Sequence, residues 1–192
     1  VDGIDPRLAS KTGDDFAICG NCKHRGIPNN DPNRKIAKNR SCYVNLGQGV
    51  LITYNAYIRG VYPMANNAAS RKELGRGRVV RVGTYGDPGA VPSFVWDQLL
   101  SECDSHLAYT HQIGYMPGIA MQSADSHEQA LDLWSKNLRT FRTLNSVEDL
   151  DKNNEVLCPA SKEAGRRATC DKCKLCGGLS TKTKKSIAIV LH

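Results

Sequence analysis

The stretch Arg78-Val79-Val80-Arg81-Val82-Gly83-Thr84-Tyr85, running into Gly86-Asp87-Pro88-Gly89, decides the fold. Three valines in a short run, closed by a glycine- and proline-rich turn, read as a strand of parallel-sheet character. A helix is expected over 92–105, carrying Phe94, Val95, Leu99 and Leu100 and enclosing Cys103. Strands are then expected over 107–112 and 118–124. A helix over 128–137 follows, with Ser126 as its N-cap, then strands over 139–144 and 186–192. Strands alternating with helices predict an α/β fold: a mostly parallel sheet or partial (β/α) barrel, with two cysteine-rich segments.

Upstream of that strand the chain reads differently. Residues 1–15 are polar and rich in turn formers, and read as a connector. Phe16-Ala17-Ile18 reads as a very short strand feeding the first cysteines. Residues 23–40 form a loop without apolar periodicity, which needs something to fix its base. A helix is expected over 45–62, from the spacing of Val50, Leu51, Tyr54, Tyr57, Ile58 and Val61, and helix plus turn over 64–77.

The chain has 192 residues, 40% hydrophobic and 23% charged, so it can bury a core without cysteine staples. It reads as one α/β domain over 1–192, with an N-terminal cysteine loop at 16–44 and a C-terminal cysteine segment at 158–178. No run of 18 apolar residues occurs, so no membrane helix is expected. No signal peptide is visible, and Val1 in place of Met leaves room for a preceding piece. Net charge is +7, with basic residues gathered at 23–40, 71–81, 162–174 and 182–185. Such a field suits nucleic acid, and it equally favours thiolates and an anionic cluster. Few clustered aromatics weigh against a reader of single strands.

Seven of the eight cysteines fall into two groups. Cys19, Cys22 and Cys42 follow a C-x2-C-x19-C spacing; Cys158, Cys170, Cys173 and Cys176 follow C-x11-C-x2-C-x2-C. Two intervening residues let both thiolates face one centre, which suits zinc or an iron–sulfur cluster. Disulfides are the alternative, and the grouping favours metal in a reducing compartment, the cytoplasm. Four thiolates close a site, whereas three leave a position open for another ligand. Whether the two groups share one centre stays open.

In parallel α/β folds, sites form at the carboxyl ends of strands. The candidates there are Thr84, Tyr85, Gly86, Asp87 and Pro88; Tyr109, Thr110, His111 and Gln112; Gln122, Ser123 and Asp125; Arg142; and His192. His111 and Asp87 are the catalytic candidates. Asp87 either receives an amine or hydroxyl of a ligand or caps the helix near Pro92. His111 is either a ligand or catalytic group or a satisfied structural histidine. His24 and His127 sit in loops and carry little signal. No phosphate loop, Rossmann fingerprint, nucleophile elbow or H-E-x-x-H occurs.

The set Cys19-Gly20-Asn21-Cys22, Ser41-Cys42-Tyr43-Val44-Asn45, Gly83 to Pro88, Tyr109-Thr110-His111-Gln112, Arg139 to Arg142 and Cys158-Pro159 with its three following cysteines resembles a group of uncharacterised cysteine-rich phage and prophage proteins. More remotely, a cysteine trio ending in Cys-Tyr, followed by a Gly-Asp-Pro turn, resembles the radical S-adenosylmethionine superfamily. That resemblance implies a [4Fe–4S] cluster on Cys19, Cys22 and Cys42, with S-adenosylmethionine bound at Gly86, Asp87 and Pro88. The second cysteine set would then hold an auxiliary cluster or zinc. The expected function is therefore a phage metal- or iron–sulfur-binding protein, with a diverged radical S-adenosylmethionine enzyme acting on a small molecule as its catalytic form. The alternatives are a zinc-stabilised, basic nucleic-acid-binding protein and a non-catalytic phage structural or host-interaction protein.

Overall fold

The computed structural model describes residues 3–181 and 183–191. Its frame is one six-stranded sheet of β1 (Val79–Val82), β2 (Ser105–Thr110), β3 (Met121–Ala124), β4 (Thr140–Leu144), β5 (Glu155–Leu157) and β6 (Ser186–Val190). The strand order is β1-β2-β3-β4-β6-β5 and every pairing is parallel. The chain is thus an α/β protein with a parallel sheet, as the alternation predicts. His192, expected at the end of the last strand, lies outside the described residues.

The described residues also form seven α-helices: α1 (Pro6–Thr12), α2 (Phe16–Cys19), α3 (Gly49–Ile58), α4 (Ala68–Gly75), α5 (Ser93–Leu100), α6 (His127–Ser135) and α7 (Cys170–Cys173). Ser126 caps α6 as expected, accepting from the Gln129 amide. Among the described residues no helix is long and apolar enough to cross a membrane.

The register sorts the side chains onto two faces, because alternate residues of a strand point opposite ways. Val82, Ala108 and Ala120 form one core cluster, covered by Trp96 and Leu100 of α5. Ala124 packs with Ala130 and Leu133 of α6. Leu107, Tyr109 and Ile187 belong to the opposite face, and there they line a cavity with the C-terminal cysteines. Helices α5 and α6 therefore cover one face, and the C-terminal cysteine segment covers part of the other.

Three expectations need correction. Residues 6–12 are a helix, not connector. Asp5 accepts from the Arg7 amide at 2.8 Å, Pro6 opens the first turn, and Gly13 closes it at φ 91°. Phe16–Cys19 is a helix rather than a strand; the Asp15 carbonyl accepts from the Ile18 and Cys19 amides, so those amides are used locally. Cys103 lies beyond the end of α5, which stops at Leu100. Strand β5 was not foreseen at all. Its Glu155 side chain is buried and paired with Arg142, which hides it from a search for apolar runs.

Candidate metal centres

The N-terminal centre is assembled on the carboxyl ends of β1, β2 and β3. Helix α2 abuts the turn after β1: the Asp87 amide donates to the Ile18 carbonyl at 2.6 Å. A Cβ on Gly86, at φ 95°, would stand 2.5 Å from that same carbonyl. Only glycine permits both the backbone and the approach. Cys19 therefore sits against the Gly86–Pro88 turn. Gln112 wedges in from the loop after β2, donating to the Cys19 carbonyl at 3.3 Å.

The long loop returns Cys42 to its partners. The Ser41 and Cys42 amides both donate to the His24 carbonyl. Arg25 anchors the loop's base, donating to the buried Asp15 carboxylate at 2.6 Å and to the Gly13 carbonyl at 2.6 Å. That ion pair fixes the loop independently of any metal. Burial, with Asp15, Cys22 and Cys42 nearby, pushes the Cys19 thiol up to about 12. The Tyr85 hydroxyl, close enough to feel Cys19 and Cys42, is buried without a hydrogen-bond partner.

Beside the thiols lies a second set of donors. The His24 Nε2 stands 3.1 Å from Asp125 Oδ1, and its Nδ1 stands 2.8 Å from the Ser41 hydroxyl. The His111 Nε2 lies 3.7 Å from the same Oδ1, and the two imidazoles meet edge to face at 4.9 Å. Lys23 holds the other carboxylate oxygen at 2.9 Å. Burial alone would lower the His111 pKa; the Asp125 carboxylate and the Cys22 sulfur outweigh it and hold the ring at about 9. The His111 contact, opposed by burial and aided by Lys23 and His24, keeps Asp125 well below the usual carboxylate range. Among the described residues, the group of His, Cys, Asp or Glu side chains whose ligating atoms all lie within 4.8 Å of one another is His24, His111 and Asp125; neither cysteine set is drawn in as tightly.

The C-terminal centre lies on the sheet face opposite α5 and α6. Cys158 directly follows β5, its amide continuing the ladder to the Ala188 carbonyl at 2.8 Å. Cys158, Cys170, Cys173 and Cys176 together line a cavity of about 20 Å³ floored by Leu107, Tyr109 and Ile187. All eight cysteines are free thiols. Burial pushes Cys176 up to about 11, against the lowering effect of the Tyr109 hydroxyl that bonds it.

Arg139, just before β4, clamps this segment from beneath. Its guanidinium donates to the carbonyls of Leu175, Gly178 and Lys185 and to the Thr181 hydroxyl. The segment also replaces a missing length of strand. β3 pairs with β2 only at Tyr109 and Thr110, so the earlier Ala108 amide donates instead to the Cys176 carbonyl at 3.0 Å.

The structure sets Cys19 against the Gly86–Pro88 turn with Cys22 and Cys42 near Cys19, and gathers the predicted four around one cavity. It does not leave Asp87 free. Asp87 Oδ1 accepts from the Thr110 hydroxyl at 2.5 Å and the Gly89 amide at 2.8 Å, and Oδ2 accepts from the His111 amide at 2.7 Å. Asp87 caps the short turn Pro88–Ala90 and ties it to the end of β2; it does not cap the helix near Pro92 as expected, since α5 starts at Ser93 with no side-chain cap. Arg142 is also engaged within the fold rather than placed beyond a strand end. It lies within β4 and forms a buried pair with Glu155 at 2.6 Å. Gln122 is consumed in holding the loop after β2, through Gly114 and Tyr115.

Sequence reasoning passed over His24 as a loop residue and did not single out Arg139 as a clamp. The signal for His24 was its place next to a C-x2-C pair; Arg139 offered none, because its acceptors are backbone carbonyls. No protein-family model, curated protein or solved structure matches this chain.

Proposed function

We propose that this is a metalloprotein built on a parallel sheet, with a closed four-thiolate centre and an open N-terminal centre at the sheet's mouth. One observation carries the reading: Cys158, Cys170, Cys173 and Cys176 converge on a single cavity, unbridged, at the end of β5. Buried thiols with raised pKa values hold protons at neutral pH, and a metal ion displaces those protons and supplies the missing charge. Four converging thiolates suit zinc or an iron–sulfur cluster.

The open centre takes the remaining thiols. Cys19, Cys22 and Cys42 lie at the strand ends where parallel folds place chemistry, beside the buried and unpartnered Tyr85 hydroxyl. A radical S-adenosylmethionine enzyme is the catalytic form of this reading. The placement of Cys19 against the Gly86–Pro88 turn supports it. The capped carboxylate of Asp87 speaks against a direct contact with a cofactor amine, and the segment before Cys19 is helical. Free thiols fit a reducing compartment such as the cytoplasm.

The test is elemental analysis with a visible spectrum on anaerobically purified protein. Bound metal that falls by one equivalent per chain in Cys170→Ser/Cys173→Ser supports the closed centre. A brown chromophore lost in Cys19→Ser/Cys22→Ser supports a cluster in the open one. Metal-free protein with every thiol reactive in the folded state overturns both.

A further inference from the structure

We infer that His24, His111 and Asp125 form a separate divalent-metal site, of two imidazoles and one carboxylate, at the carboxyl ends of β2 and β3. It adjoins the open centre of the proposed function but stands on different atoms. The geometry is the argument. Two donors about 2.1 Å from one ion stand about 3.0 Å apart at right angles and about 3.4 Å apart in a tetrahedron. The separations from Asp125 Oδ1, 3.1 Å to His24 and 3.7 Å to His111, bracket the tetrahedral value.

The surroundings are those of a prepared site. A metal-binding imidazole has its other nitrogen fixed by an outer partner, and His24 Nδ1 is held by the Ser41 hydroxyl at 2.8 Å. Lys23 occupies Asp125 Oδ2, which leaves Oδ1 facing both rings and favours single-oxygen ligation. The elements are fixed as well. His111 is pinned through its amide to Asp87, and Asp125 immediately follows the last residue of β3.

Three protein ligands would leave the ion with open positions, and two of the three, His111 and Asp125, line a cavity of about 160 Å³. Its lining also includes Asn21, Lys23, Ile113, Ser123, Gln129 and Asp132. That space takes a small polar molecule able to bind the ion and hydrogen-bond to amides and a hydroxyl. Two imidazoles with one carboxylate suit zinc(II) and iron(II) among first-row ions, the latter with open positions for reaction.

The experiment is a cobalt(II) titration of the full chain under anaerobic conditions, followed by equilibrium dialysis and visible absorption. Wild type should bind one cobalt(II) whose d–d bands lack thiolate charge transfer, besides any thiolate-bound ion. Asp125→Asn and His24→Ala should each weaken that ion by about 100-fold or more, and Ser41→Ala by about 10- to 100-fold. Far-ultraviolet circular dichroism identifies any variant that has failed to fold; His24→Ala, on a partly exposed loop, is the safer of the two. Unchanged affinity in folded His24→Ala, or a wild type with no such ion, overturns the site and leaves a hydrogen-bonded ion-pair network. Failure of the cysteine reading looks different: thiolate-to-cobalt charge transfer is missing in wild type while the nitrogen- and oxygen-bound ion remains.

Discussion

Glu155 and Arg142 show how much a single buried pair decides in this molecule. Arg142 donates from Nε to Glu155 Oε1 at 2.8 Å and from an Nη to Oε2 at 2.6 Å, and both side chains are almost wholly buried. The same Glu155 oxygen accepts from the Asp151 amide, and Arg142 also donates to the Asp149 carbonyl. Removing one partner leaves the other charged and unsolvated. Glu155→Ala should therefore lower unfolding stability in urea by about 3–5 kcal/mol, whereas Arg142→Met with Glu155→Leu should cost far less. A loss below about 1 kcal/mol for Glu155→Ala would mean that the pair is not buried as described. At this scale the sequence was only partly legible. Thiols advertise themselves by spacing, so both cysteine groups could be read directly. Arg142, His24 and Arg139 could not, because their roles depend on partners 13, 101 and up to 46 residues away in the chain.

Elements pack here through close backbone approaches. Gly75 ends α4, and a Cβ there would stand 1.8 Å from the Leu99 carbonyl of α5. Glycine to alanine at a helix end is ordinarily neutral or favourable by up to about 1 kcal/mol. Gly75→Ala should invert that sign and destabilise by about 1–3 kcal/mol, because the two helices must separate. A melting temperature equal to or above that of wild type would contradict the contact. The C-terminal cysteine segment depends likewise on Arg139. Arg139→Ala should speed hydrogen exchange at the Ala108 and Leu179 amides, which donate to the Cys176 and Pro117 carbonyls, while β6 stays protected. Unchanged exchange would show that the segment holds itself. Strands with continuous apolar runs, β1 and β2 among them, could be read from sequence to within about three residues at each end. Short elements could not. Phe16–Cys19 has the apolar look of a strand, and only its hydrogen bonding to Asp15 makes it a helix. Pro6–Thr12 carried its Asp-Pro start signal in the open, but its polar composition pointed to a connector.

Taken whole, the molecule separates its work between the two faces and the end of one sheet. Helices α5 and α6 pack one face with small apolar side chains. The other face receives four thiols, and the strand ends receive three more together with two imidazoles and a carboxylate. The net charge of +7 would offset the negative charge that thiolates bring to the proposed centres. The central claim is that sulfur from Cys158, Cys170, Cys173 and Cys176 binds metal. X-ray absorption at the K-edge of the metal carried by protein purified without added metal tests it most directly. The expected spectrum shows a sulfur shell at about 2.3 Å that shrinks in Cys170→Ser/Cys173→Ser. A metal surrounded by nitrogen and oxygen alone, or no metal at all, would contradict it.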